Sequence, residues 1–233
     1  MSEHLALAAA ATLLALAFGF CTLERWLDKR KAHEAAWTAA LFLFAAASAS
    51  LWAGAAFGWN ALWFRLFYLF GAIVNVPYLA LGTVYLLADR RKARRIAVGV
   101  HAFAAFSAGV VVVAPLRGSI AAGTLPQGSD VFGALPRVLA ATGSGVAAVV
   151  IVAGAVWSAA RLVRRRSTRR VALANGLIAT GTVILGAGGI LNSVLNEMDG
   201  FAVSLVAGIT VIFAGFLLTN APRRRVMQVV AAA

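Results

Sequence analysis

The chain has 233 residues, of which 62% are hydrophobic and 12% charged, with a formal net charge of +13 and a mean hydropathy of +0.87. A soluble domain averages about 45–50% apolar and about 25% charged residues, so this chain carries more apolar surface than one globular core of its length can hide. Disordered chains need low hydrophobicity and disulfide scaffolds need many cysteines; both classes are excluded, because the only cysteine is Cys21.

A membrane-spanning helix needs roughly 20 mostly apolar residues. Seven such stretches run along the chain: Leu5–Leu23, Ala35–Phe57, Ala61–Ala88, Ile96–Ala114, Val138–Ala160, Val171–Leu195 and Phe201–Thr219. They are continuous in Ala, Leu, Val and Phe and do not alternate at period two, which predicts helices and not barrel strands. The expected fold is all-α: one polytopic bundle of seven transmembrane helices over residues 1–222, an outer loop at about 115–137, and a short basic tail at 223–233.

The first stretch is expected to be a retained helix and not a secretory signal. Glu3 replaces a basic leader, charge follows where a small-residue cleavage site would stand, and Phe20 before Cys21 is too bulky for lipoprotein processing. Basic residues then sit at alternate junctions: Lys29, Arg30 and Lys31; Arg90, Arg91, Lys92, Arg94 and Arg95; six arginines from Arg161 to Arg170; and Arg223, Arg224 and Arg225. The intervening connections carry almost none. Positive-inside topology therefore predicts an amino terminus outside and a cytoplasmic carboxyl terminus. The sequence pI near 11.6 is then a topology signal. No nucleic-acid partner is expected, and the inner charges are expected to meet anionic lipid headgroups.

Polar residues at membrane depth mark the places where function is sought, because they face a bundle interior or a cavity. In the third span Arg65, Tyr68, Asn75 and Gly82 follow a three-four spacing that places them on one helical stripe. Pro77 beside it removes a backbone donor and frees the carbonyl of Ile73, which predicts a kink with a polar lining. The functional reading is an outer-side pocket with Arg65 facing an anion or a partner charge. The structural reading has Arg65 snorkelling to headgroups and Asn75 bonding a neighbouring helix. In the sixth span Gly181, Gly188, Asn192 and Asn196 share a face, followed by Glu197. The glycines suit close helix packing, and Glu197 is the expected outer partner of Arg65. Trp52, Trp59, Trp63, Phe64, Phe67, Tyr68 and Phe70 suit an aromatic belt or an aromatic-walled site.

Several chemistries lack their residues. Bis-histidine haem and a zinc hydrolase site both need clustered ligands, and only His101 lies within a span, where it is expected to pack or to line a cavity. Seven helices with an outer amino terminus resemble microbial rhodopsins and seven-helix receptors in topology, but Lys29, Lys31 and Lys92 all lie at inner loops, so no retinal is expected. The eight acids sit at helix ends or in loops, with Glu24–Arg25 reading as a boundary.

The stretch RLFYLFGAIVNVPYLALGTVYLL, Arg65 to Leu87, resembles a segment of seven-helix integral membrane proteins of actinobacteria that have no assigned activity. That resemblance implies a multi-pass protein of a bacterial plasma membrane, in keeping with 18 Arg against 3 Lys. The expected function is a non-enzymatic, receptor-like or accessory protein that binds a small apolar or anionic ligand, or a partner, in the outer pocket. A small-solute or ion transporter or channel is the alternative, a lipid- or quinone-directed enzyme comes third, and a homo-oligomer is compatible with all of them.

Overall fold

The computed structural model describes residues 2–117, 120, 125–164, 169–195 and 198–220. Among these residues the regular elements are helical: α1 (Ser2–Lys29), α2 (Ala32–Phe57), α3 (Ala61–Phe67), a π-helical segment (Tyr68–Val74), α4 (Asn75–Leu87), α5 (Arg90–Val113), a single turn α6 (Gly128–Val131), α7 (Ala134–Arg164), α8 (Arg169–Leu195) and α9 (Met198–Asn220). One isolated antiparallel bridge joins Leu116 to Phe132. Helices follow from apolar runs that must satisfy every backbone polar group internally.

Short polar signals set the turns. Arg30 adopts a left-handed φ of 50°, and its N–H donates to the Trp26 carbonyl at 2.7 Å, closing α1 with a one-residue cap. Gly58, at φ 87°, turns the chain so that Trp59 folds back over Gly54, where an added Cβ would stand 2.7 Å from the indole. Asn60 caps α3 by accepting from the N–H groups of Leu62 and Trp63. Asp89 caps α5 by accepting from the Lys92 N–H at 2.9 Å, and that hydrogen bond holds its carboxyl below the usual carboxylate value. A lowered folded value means the cap contributes fully above the ordinary carboxylate range and is lost as pH falls through the lowered value. Amide exchange in the first turn of α5 should accelerate at that acid end in the wild type and at all pH values in Asp89→Ala.

Among the described residues, six helices are long and apolar enough to cross a membrane: Leu5–Lys29, Ala32–Phe57, Ala61–Leu87, Arg90–Val113, Ala134–Ser158 and Gly200–Leu218. The sixth predicted span corresponds to α8, a 27-residue helix whose apolar part among the described residues runs over Gly176–Gly188. The third predicted span is α3, the π segment and α4 taken together.

Neighbours in sequence pack side by side. α1 lies on α2, α2 on the third span, the third span on α7, α7 on α8, α8 on α9, and α9 closes the ring on α1; α5 sits outside that ring against the third span and α7. The peripheral place of α5 leaves Val98, Phe106, Val112 and Val113 exposed, whereas Phe64 and Ile73 of the third span are fully buried. Phe18 stacks on Phe213 and tilts against Phe216, each at 4.8 Å between centroids, in the core that joins α1, α2 and α9.

The packing also gathers charge. Trp37 near the start of α2 covers Gly82 near the end of α4, and Gly154 late in α7 abuts Thr83 and Leu87. The basic junctions 29–31 and 90–95 and the end of α7 therefore lie at one end of the bundle. At the opposite end, the chain after α5 folds inward: the Arg117 N–H donates to the Val131 carbonyl, and Phe132 is fully buried against Phe64 and Tyr68. The described part of this loop, with Leu125, Val131 and Phe132 buried, thus covers that end of the bundle.

Glycines bring α8 and α9 into backbone contact. A Cβ at Gly181 would meet the Gly208 carbonyl oxygen at 2.7 Å, and one at Gly215 would meet the Ala174 carbonyl oxygen at 2.7 Å. These clashes are with backbone, so rotation of a side chain does not relieve them. Gly181→Ala should cost about 1–3 kcal/mol by overpacking, read as a lower unfolding midpoint in detergent. Gly99→Ala, where a Cβ meets nothing within 4 Å, should not destabilise.

Candidate functional site

The third span is the centre of the candidate site because its backbone is broken there. Across Tyr68–Val74 the helix takes i→i+5 hydrogen bonds, ending with the Asn75 N–H donating to the Phe70 carbonyl. Pro77 follows two residues later and removes a further donor. α7 braces the break: the Ser144 hydroxyl donates to the Ala72 carbonyl at 2.6 Å, and Gly143 lets the two helices approach until a Cβ would stand 3.3 Å from the Ile73 carbonyl oxygen. π-helical turns inside longer helices are frequent at functional sites. Here the turn has a second consequence, because each i→i+5 bond admits an extra residue and rotates everything that follows it.

That rotation corrects the expected stripe. Arg65 and Tyr68 point toward α5 and the outer loop, while Gly82 packs under Trp37 of α2. Arg65 and Gly82 therefore meet different neighbours, the end of α5 and Trp37 of α2. A plain α-helical spacing rule fails here because the turn between them is not α-helical.

Arg65 has a definite task. Its guanidinium donates to the carbonyls of Val111 and Val112 and, at 2.8 Å, to that of Ala114. These are the last carbonyls of α5, which have no intrahelical partner, and a cation is favoured there by the helix dipole. Arg65 is thus neither snorkelling nor facing an open pocket. Tyr68 packs between Phe64 and Phe132, at 5.7 and 5.0 Å between centroids, and lies against Gly128. Pro77 is buried, and Asn75 is half-buried with no side-chain hydrogen bond among the described residues. Asn192 lies in α8, but its side chain falls outside the described residues, as do Asn196 and Glu197 entirely.

The aromatic residues divide between core and rim. Trp59 and Phe64 are buried, with Trp59 edge-on to Phe67 at 5.9 Å and Phe67 edge-on to Phe201 of α9 at 6.2 Å. Trp52 remains exposed beside Phe57. The group is therefore mainly core at the end of the bundle that holds Phe132, with Trp52 exposed at its margin.

One constellation escapes simple reading. Glu34, in the first turn of α2, is 2% exposed, and its Oε1 accepts from Arg25 Nη2 of α1 at 2.9 Å. His33 Nε2 stands 3.9 Å from the same oxygen, and Arg25 lies over the Phe216 ring of α9 at 4.8 Å. Glu34 Oε2 is buried without a partner among the described residues. Arg25 is thus not simply half of a boundary couple with Glu24. The available signal was a charge on each side of the first inter-helix connection, nine residues apart, each just beyond the end of an apolar run. His101 also departs from expectation: it is exposed on α5, edge-on to Tyr78 at 5.4 Å.

Comparison of the chain with known protein families, with curated proteins and with solved structures finds no match.

Proposed function

We propose that this chain is a seven-span protein of a bacterial plasma membrane, with its amino terminus outside and its carboxyl terminus cytoplasmic. In this reading it works as a receptor-like or accessory component without covalent chemistry, and it binds a small apolar ligand carrying one polar group beside the broken third span. The observation that carries the reading is the π segment Tyr68–Val74 running into Asn75, whose side chain has no hydrogen-bond partner among the described residues, and Pro77. A polar side chain there is costly unless something pairs with it. Arg65 is committed to three carbonyls, which favours an apolar ligand over an anion. Basic junctions gathered at one end of the bundle support the orientation, and α8 supplies the seventh crossing.

A transporter would use the same break, since discontinuous helices line transport sites. The buried Phe132 over Phe64 and Tyr68 favours a site closed toward the outer end.

The test is native mass spectrometry of protein extracted from its own membrane. The wild type should retain a bound small molecule that Asn75→Leu loses while keeping its unfolding midpoint. Equal retention by both overturns the site. A cytoplasm-only reporter fused to the carboxyl terminus should be active; an inactive fusion overturns the orientation.

A further inference from the structure

Tyr78, the residue after Pro77 on α4, meets His101 of α5 in a pair that the proposed ligand site does not use. His101 stands midway along α5, a helix with few buried positions, and is exposed; Tyr78, on α4, is half-buried beside it, ring to ring at 5.4 Å. Ala97, one turn earlier on α5, packs with Ala36 of α2 and Leu81 of α4, whereas Phe103 reaches Gly143 of α7. His101 is therefore on the flank of α5 that faces α2, at the membrane-facing seam over the third span.

The hydrogen-bond inventory defines what the pair can recognise. His101 Nδ1 lies 2.5 Å from the Ala97 carbonyl oxygen. A carbonyl only accepts, so in the neutral ring this geometry assigns the hydrogen to Nδ1 and leaves Nε2 as an acceptor. Neither Nε2 nor the Tyr78 hydroxyl has a partner among the described residues. Two rings in edge contact at 5.4 Å thus carry one acceptor and one hydroxyl near the middle of α5, where in a membrane water does not supply the missing bonds. Val98 and Ala105, one turn before and one turn after His101 on the same flank of α5, are both exposed, so the surface beside the pair is open.

The geometry points to a binding site for a membrane-dissolved hydroxyl compound, which enters from the lipid, donates its hydroxyl hydrogen to His101 Nε2 and takes a hydrogen bond from Tyr78. Two membrane components supply that chemistry: the phenolic head of a quinol and the free hydroxyl of a diacylglycerol. A ketone or quinone lacks the hydrogen that Nε2 requires and is rejected.

The experiment uses the full chain, with ¹⁵N-labelled histidine, at one copy per phosphatidylcholine nanodisc. The His101 resonances are assigned by their loss in His101→Phe. Decylubiquinol and dioctanoylglycerol are titrated separately, with decylubiquinone as the probe that lacks a donor. The inference expects a saturable shift of the Nε2 resonance with at least one hydroxyl probe and none with the quinone. The responding arm names the source, and a response to both defines a site selective for the hydroxyl alone. Tyr78→Phe, which removes one oxygen and keeps the ring, should raise the half-saturation concentration about tenfold. No shift with either hydroxyl probe overturns the site, as does an equal shift with decylubiquinone or unchanged affinity in Tyr78→Phe. An Nε2 already hydrogen-bonded without probe, in a disc holding one copy, also overturns it.

Discussion

Arg65→Leu should lower the stability of the bundle by about 2–4 kcal/mol, because hydrogen bonds to a charged group contribute roughly 1.5–3 kcal/mol and their loss leaves acceptors unpaired. The carbonyls of Val111, Val112 and Ala114 would all lose the same donor. The effect should be local before it is global: amide exchange should rise first across residues 111–117, where α5 ends and Arg117 begins its pairing with Val131. Arg65→Lys keeps the charge without the fork that reaches several carbonyls, so it should recover only part of the loss. The measurement is the unfolding midpoint in mild detergent with exchange read by mass spectrometry. Unchanged stability in Arg65→Leu contradicts the capping role and returns Arg65 to the ligand.

The second large effect belongs to Arg25 and Glu34. Removing one partner of a buried ion pair strands the other charge and typically costs about 3–5 kcal/mol, whereas replacing both with apolar residues of similar volume is often neutral. Arg25→Met should therefore destabilise strongly, because it leaves the carboxylate of Glu34 buried without its cation. The double variant Arg25→Met, Glu34→Met should be more stable than Arg25→Met alone. Methionine keeps packing against Phe216, which lies 4.8 Å from the guanidinium, so the cycle isolates the charge. Additive losses in the double variant would show that the two residues do not act as a pair.

Much of the helical layout was legible in the chain. Continuous apolar runs between charged junctions gave the positions of the helices to within a few residues, since a lipid-facing backbone has no alternative that satisfies its own polar groups. The close packing of Gly181 and Gly188 was also legible, because a missing Cβ is a property of the residue itself. The site was less so. Arg65 and Pro77 stood out as an ion and a helix breaker inside an apolar run, but the use of Arg65 depended on where the end of α5, 46 residues away in sequence, came to rest. Glu34 escaped notice because a carboxylate in the first turn of a helix reads as solvated until α1 and α9 are placed around it.

The sequence by itself determined that this protein is helical, that its helices are long and apolar enough to cross a membrane, and where its charges divide, because these follow from composition and from the order of residues along the chain. Only the tertiary structure decided which face each polar residue presents. Arg65 meets the end of α5, whereas Gly82, beyond the π turn at Tyr68–Val74, meets Trp37 of α2, and the placement of α5 outside the ring leaves His101 exposed. Both outcomes depend on helices distant in sequence packing against one another, which no local pattern of residues encodes.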